Sequence, residues 1–228
     1  MRIVSWNCNM GFDKKRNVLM NLQPDIAVLQ ECSAKDIART NAPFKYWIGS
    51  NTSKGLAIVG FANSTYSVER SYTQEWPWFL PVRVEEVPLH ILGLWACVKD
   101  QRLRYVRVTH HAIEHYVRFL SLSHTIAIGD FNSNTIWDSR YSERSHSRLV
   151  EKLGRIGLVS AYHTQRGEVQ GQEVTPTQFM YRHLAKSYHL DYAFVSHTLS
   201  RSCELLIGEP GEWLDKSDHM PLILTLSI

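Results

Sequence analysis

The stretch TIAIGDFNSN, residues 125–134, constrains the fold more than any other part of the chain. Ile126 and Ile128 alternate with smaller residues, the two-residue period of a buried strand. Gly129 ends that strand and Asp130 follows at once. With an extended backbone, Asn132 points the same way as Asp130, and Phe131 turns the other way. A carboxylate and a carboxamide are thus delivered together where an apolar strand leaves the core. Asp/Asn turns close strands in many folds. Here the pattern gains weight because other strands of the chain end the same way.

In chain order, residues 2–6 (RIVSW) read as a short strand with Asn7 at its exit. Residues 14–22 suit a helix with Val18, Leu19 and Leu22 on one face, broken by Pro24. Residues 26–30 (IAVLQ) form a second buried strand closed by Glu31, and residues 33–39 suit a short helix. Strands are expected over 46–49, 55–61, 82–87, 89–97 and 103–109. In the last of these, Val106, Val108 and His110 share one face by the period of two. Helical spacing then covers 113–122, with Ile113, Tyr116, Val117 and Leu120 as the apolar stripe, and later 145–156. Residues 189–196 (HLDYAFVS) and 221–228 (PLILTLSI) are the last strands. Many strands with few helices between them exclude a regular βαβ pattern and point to a mixed α/β sandwich.

A chain of 228 residues, 44% hydrophobic and 21% charged, suits one globular domain over 1–228 with a large core. Its net charge of +3 permits nucleic-acid binding without arguing for it. Cys8, Cys32, Cys97 and Cys203 are scattered, which fits neither a zinc ribbon nor a disulfide framework. No stretch reaches the roughly 20 apolar residues of a membrane span, and the start lacks a signal-peptide core. A reduced, cytoplasmic protein is expected, with no obligate protein partner evident.

Asn7, Glu31, His110 and Asp130 sit at strand exits, whereas Asp191, Asp218 and His219 sit at or before strand entrances. If the last strands run antiparallel to the others, all seven gather on one rim. Packing carboxylates together is costly unless a cation balances them. A hard divalent cation would take oxygen ligands from such a set.

The order of these motifs can now be named. SWN at 5–7, QE at 30–31, GDFN at 129–132, DY at 191–192 and SDH at 217–219 resemble the endonuclease/exonuclease/phosphatase superfamily of metal-dependent phosphoesterases. The resemblance runs from Arg2 to Leu224. It implies a deoxyribonuclease-I-like fold, a four-layered α-β-β-α sandwich of two mixed sheets with the active site along one rim. It also implies Mg²⁺ as cofactor, with Mn²⁺ as a substitute. Carried over residue by residue, Glu31 matches the main metal ligand, with Asn7 beside it and Asp218 as a second-metal or water-positioning residue. Asp130 and Asn132 match the pair that orients the attacking water or assists the leaving oxygen. His219 matches the histidine on the scissile phosphate, Asp191 the carboxylate that holds it, and His110 a phosphate-binding histidine or general acid. The repair-type members that cut at abasic sites carry an Arg two residues before the Asp of DY; here His189 stands there, which argues against that specificity.

Three weaker features bear on the substrate, expected to be nucleic acid or a small phosphorylated molecule. Trp76 and Trp78 in QEWPWFL suit base stacking or a lip over the site, or simply a loop folded onto the sandwich. Arg182, His183 and Lys186 form a basic loop before Asp191 that suits a substrate phosphate. Arg140, Arg144, His146 and Arg148 make a second phosphate-tracking patch or a solvated face. Three functions compete: a nuclease or phosphodiesterase, a phosphatase on a small or lipid phosphate, and a non-catalytic binding module. The last is disfavoured because every principal motif position holds a competent residue.

Overall fold

The computed structural model describes residues 1–97, 105–141 and 143–228. In chain order its elements are β1 (Arg2–Asn7), α1 (Phe12–Met20), β2 (Ile26–Cys32), α2 (Ala34–Ala38), β3 (Phe44–Asn51), β4 (Lys54–Gly60), β5 (Tyr66–Val68), β6 (Phe79–Val84) and β7 (Leu89–Trp95). Then come α3 (Tyr105–His115), α4 (Val117–Leu120), β8 (Thr125–Asp130), a 3₁₀ turn (Thr135–Arg140), α5 (His146–Arg155), β9 (Leu158–Ser160) and α6 (Ala161–Arg166). The chain finishes with β10 (Gln178–Phe179), β11 (Ser187–Tyr188), β12 (Asp191–Ser196), α7 (His197–Ser200), β13 (Cys203–Ile207), α8 (Pro210–Trp213) and β14 (Leu222–Leu226).

The strands form two six-stranded mixed sheets, ordered β13-β14-β1-β2-β4-β3 and β5-β6-β7-β8-β12-β9. Each sheet has one parallel pair, β1 with β2 and β7 with β8, and is otherwise antiparallel. A parallel pair needs a long crossover, and both crossovers carry helices, α1 in one and α3 and α4 in the other. The period of two sorts the side chains of β1 and β2. Ile3, Ile26 and Val28 face the second sheet, whereas Val4, Trp6, Ala27 and Leu29 belong to a separate core that includes Phe12, Leu19 and Ile37 of α1 and α2. On the far side, Ala112, Ile113, Leu120, Leu149 and Leu153 of α3, α4 and α5 join the main core. The layers are therefore helix, sheet, sheet, helix, as the motif resemblance implies. Each fully buried Ile or Leu contributes on the order of 1.5–3 kcal/mol.

Two expectations are corrected. The strand over 103–109 begins outside the described residues at Leu103 and Arg104, and from Tyr105 onward it is helix α3. Val106, Thr109, His110 and Ile113 are all buried, a spacing of three, four and seven that makes one helical stripe. Alternation of Val106 and Val108 mimicked a strand only because both also face inward from the helix. Val117, placed in the apolar stripe by sequence, is exposed where α3 gives way to α4.

Gly129 has φ of +150°, and a Cβ there would lie 1.9 Å from the Leu94 carbonyl oxygen of β7. Only glycine lets β8 pass that close to its parallel neighbour before delivering Asp130. Gly129→Ala is expected to lose more than about 1 kcal/mol of stability. Gly154→Ala, in α5 with nothing within 4 Å of the added carbon, is expected to gain roughly 0.5–1 kcal/mol. Chemical denaturation of the two variants checks the pair; equal effects would count against the close approach of β8 to β7.

Candidate active site

The antiparallel register pairs Asp191 with Asp130, so the entrance of β12 lies beside the exit of β8. Likewise β14 runs antiparallel to β1, with Leu222 opposite Ser5, which brings the turn before β14 to the exit of β1. Ser217 clamps that turn, its Oγ donating to the Asn7 carbonyl at 2.7 Å and accepting from the His219 amide at 3.0 Å. The Trp6 indole N–H donates to the His219 carbonyl at 3.0 Å. Asn7, Glu31, Asp130, Asp191 and His219 thus meet at one rim.

Asn7 joins the two sheets there. Its Nδ2 donates to Asp130 Oδ2 at 3.0 Å and to Glu31 Oε1 at 3.3 Å. Asp130, with 0% exposure, also accepts from the Asn132 backbone amide and side-chain amide, both at 2.9 Å. Asn132 Nδ2 in addition donates to the Ala96 carbonyl at 3.2 Å. Burial pushes the Asp130 carboxyl above its ordinary range, toward neutrality, with the His219 charge pulling the other way.

His219 Nδ1 lies 2.9 Å from Asp191 Oδ2, the pairing expected from the sequence. The backbone amides of Leu190 and Asp191 both donate to Thr177 Oγ1 at 2.9 Å, which fixes the start of β12. Burial works against a charged His219 ring, yet the Asp191 and Asp130 carboxylates outweigh it and raise the imidazolium to about 10. One oxygen or nitrogen each of Asp130, Asp191 and His219 lie within 4.8 Å of one another, a spacing that a metal ion can bridge. Of the three, the His219 imidazolium is the group that can donate to a phosphate oxygen, while the two carboxylates hold its charge in place. Glu31 could hold a divalent cation with the neighbouring oxygens: its side chain is 18% exposed, and its Oε2 is reachable, paired at 2.8 Å with the Lys54 ammonium. Such hard oxygen donors suit Mg²⁺ or Mn²⁺.

Two of these residues have left-handed backbone, Glu31 at φ 60° and Asn132 at φ 47°. Glu31 lies in a break of the β2–β4 ladder between Gln30 and Cys32, which swings its side chain out of the sheet. Strain of this kind in a non-glycine residue costs about 1–3 kcal/mol and clusters at functional sites.

The remaining expected residues are dispersed. Asp218 turns to Asn9, whose Nδ2 donates to its Oδ1 at 2.6 Å, outside the trio of Asp130, Asp191 and His219. His110 is corrected: it is buried on α3, its Nε2 2.9 Å from the Ser145 carbonyl, and the shared face with Val106 and Val108 that chose it belongs to a helix rather than a strand. Trp76 stacks on His111 at 5.4 Å, whereas Trp78 lines a cleft of about 310 Å³ with Glu31, Asp130, Asn132 and His219. The hairpin β10–β11 carries Arg182, His183 and Lys186 at its exposed tip, and its base is tied to the centre by a bridge from Gln178 to His219. Arg182 is held by the Asp215 and Lys216 carbonyls, and Lys186 sits 5.7 Å from the Tyr181 ring. Of the second basic patch, His146 is buried on Ser133, Arg144 meets His111 and Arg148 pairs with Glu151. The cleft also takes in Lys54, Trp95 and Tyr105, which sequence reading missed. The one available signal was a lysine placed directly before the strand GLAIVGF.

Raised protonation of His219 has a definite sign. Its stabilising contribution is fully present below about 6.5 and is lost as pH rises through about 10. In metal-free protein, the His219 ring is expected to show no NMR titration between about pH 6 and 8. Asp191→Asn should bring its titration down into or below that window and cost more stability at acid than at alkaline pH. A wild-type ring that titrates near its ordinary value would reject the assignment.

A family model described as Endonuclease/Exonuclease/phosphatase family matches residues 4–219. No curated protein matches the chain. Solved structures with the same fold include an AP endonuclease from Archaeoglobus fulgidus (TM-score 0.74, 15% identity) and the 3′-5′ exonuclease NExo from Neisseria meningitidis (TM-score 0.72, 17% identity). A third is the 3′ phosphatase NExo from Neisseria bound to a product DNA hairpin (TM-score 0.71, 17% identity); all three alignments cover 100% of both chains. The match over 4–219 and the rim of Asn7, Glu31, Asp130, Asn132, Asp191 and His219 place this chain in the endonuclease/exonuclease/phosphatase family.

Proposed function

We propose that the chain, acting as one domain, is a divalent-metal-dependent phosphoesterase that hydrolyses phosphodiester bonds of nucleic acid by in-line attack of water. The observation that carries this reading is the rim itself: a cation-accepting Glu31, a buried Asp130–Asn132 pair and an Asp191-held imidazolium, all facing one cleft. Phosphoryl transfer requires positioning and charge stabilisation more than covalent chemistry, and these groups supply both.

Glu31 would hold the cation, with Asn7 placing its carboxylate and Asp218 as an outer one. Mg²⁺, or Mn²⁺ in its place, would neutralise phosphate charge and lower the pKa of water in the site. Asp130 would orient the attacking water and take its proton, since a carboxyl raised toward neutrality is a better base near pH 7. Asn132 holds Asp130 in place and can donate to the water or the leaving oxygen. His219, kept charged by Asp191, would donate to a non-bridging phosphate oxygen. Burial gives these interactions more weight than they would have in water.

The hairpin tip supports a polymeric substrate. Arg182, His183 and Lys186 stand on a hairpin anchored to His219, where cations can meet phosphates flanking the scissile one. Trp78, in the cleft wall, is buried against Trp95 and leaves only an edge for a sugar or base. Trp76 is covered by His111 and is the weaker candidate. The size of the cleft, about 310 Å³, favours a second reading, a phosphatase acting on a terminal or small-molecule phosphate. We place the protein in the cytoplasm, a reading supported by Cys8 and Cys32, which are buried thiols directed at backbone carbonyls. Among the described residues no helix is long and apolar enough to cross a membrane.

A panel of single- and double-stranded DNA, RNA, abasic DNA, bis-p-nitrophenyl phosphate and inositol phosphates tests the reading. Hydrolysis with Mg²⁺ is expected, with loss in EDTA and a fall on the order of 10²-fold or more in Glu31→Gln, which removes a cation worth several kcal/mol of charge stabilisation. Equal turnover by that variant would sink the assignment of Glu31.

The two readings of the substrate separate on salt. For a polymer, Arg182→Ala with Lys186→Ala is expected to weaken binding and flatten its salt dependence, because each lost phosphate contact releases fewer counterions. For a small monoester, the same double variant changes KM or kcat with no dependence on oligonucleotide length. An unchanged salt slope, with no gain in wild-type activity on longer oligomers, would move the assignment to the phosphatase.

A further inference from the structure

Lys54 opens β4 at the end of the β3–β4 hairpin, where Asn51 and Lys54 face each other across the turn. Its neighbour in the next strand is the break in β2. The ladder pairs Gln30 with Leu56 and Cys32 with Gly55, leaving Glu31 unpaired just where Lys54 enters the sheet. The outward swing of Glu31 therefore meets the Lys54 side chain, and Nζ lies 2.8 Å from Oε2. The same ammonium stands 5.2 Å from the centroid of Trp95, which ends β7 in the opposite sheet and is in register with Asp130. Lys54 thus reaches from one sheet over the cleft to the other. Among the described residues it is the one lysine or arginine lining that cleft, alongside Asp130, Asn132 and His219.

A purely structural ion pair here would contribute little. Both side chains keep solvent contact, 39% for Lys54 and 18% for Glu31, and exposed pairs are weak and easily opened. The pair also uses the very oxygen that a divalent cation would need. A cation on Glu31 and an ammonium at the same oxygen repel each other, so only one can stay. The displaced ammonium has a flexible four-carbon stem and a cleft before it whose other polar groups, on the reading above, face a phosphate.

We propose that Lys54 is a substrate-contacting residue that alternates between two anions. Without a divalent cation it is the counter-ion of Glu31; once the cation holds Glu31, Lys54 moves onto a non-bridging oxygen of the substrate phosphate. It makes and breaks no covalent bond. The proposal rests on the phosphoesterase reading for its second half only, and the counter-ion half stands on the observed pair.

The test uses Lys54→Met, which keeps the stem and removes the charge, and Lys54→Arg, which keeps the charge. Mn²⁺ titration of substrate-free protein, followed by electron paramagnetic resonance, reads the first half. Lys54→Met is expected to bind Mn²⁺ roughly 2–5-fold more tightly, the fold-change that matches loss of an exposed pair, with Lys54→Arg near wild type. Steady-state kinetics at saturating Mg²⁺, on whichever ester the wild type hydrolyses, read the second half. There kcat/KM is expected to fall by about tenfold or more in Lys54→Met, as for loss of a charge-assisted contact, and to be largely restored in Lys54→Arg. Unchanged Mn²⁺ affinity in Lys54→Met overturns the counter-ion role, and unchanged kcat/KM overturns the phosphate contact. A wild type inactive on every ester rejects the phosphoesterase reading and the phosphate contact with it, while the Mn²⁺ titration still decides the counter-ion role.

Discussion

Asp130 is a carboxylate with no exposed surface, and much of the rim is arranged around that fact. Removing a carboxylate from water costs several kcal/mol, which must be offset by donors and opposite charge. Asn7 reaches across from the first sheet, Asn132 gives two donors from its own turn, and the imidazolium of His219 supplies charge. Each of these partners is held in turn. Ser217 and Trp6 fix the backbone around His219, and Thr177 fixes the start of β12. The rim is thereby positioned before any ligand arrives, which is what electrostatic catalysis requires.

The backbone conformations of Glu31 and Asn132 belong to the same arrangement. Both are non-glycine residues with positive φ, and both present a polar side chain to the cleft. A regular β2 would have kept Glu31 in the ladder, facing the helices on the alternation that Leu29 follows. The break after Gln30 re-aims it toward Asn7 and Lys54. Gln30 itself stays on the inner face, where it donates to Ser5 Oγ and the Leu94 carbonyl and ties the two sheets together just below the rim. Local strain at the rim is therefore carried by a well-connected layer beneath it.

Around this centre the surroundings differ on two sides. One side is the cleft of about 310 Å³ walled by Trp78, Trp95, Tyr105 and Lys54. The other is the β10–β11 hairpin, whose tip exposes Tyr181 and Leu184 beside its cations.

What the sequence by itself determined is most of the longer strands and the polar residues at their ends; the short or edge strands β5, β9, β10, β11 and β13 were not expected, and 103–109 was read as a strand. Asn7, Glu31 and Asp130 were legible because apolar runs stop at them, with Asn132 just beyond, and Asp191 and His219 because apolar runs begin at or after them; the order of these motifs resembles the family. The strand-rich pattern gave a mixed α/β sandwich, and the resemblance implied its two sheets and four layers. Tertiary structure decided the rest. His110 was misplaced because Val106, Val108 and His110 satisfy a period of two while the wider stripe from Val106 to Ile113 satisfies a helix; which one wins depends on packing against α5 and α4. Arg144 and His146 read as a basic patch, but His146 is buried and Arg144 is taken up by His111. Lys54 was marked only by its place before a strand, because its partner lies more than twenty residues away and is met through a bulge that no local pattern announces. Strand identity is written in side-chain periodicity, a local property, whereas register, bulges and ion pairs are settled by contacts between distant segments, which a single sequence does not encode position by position.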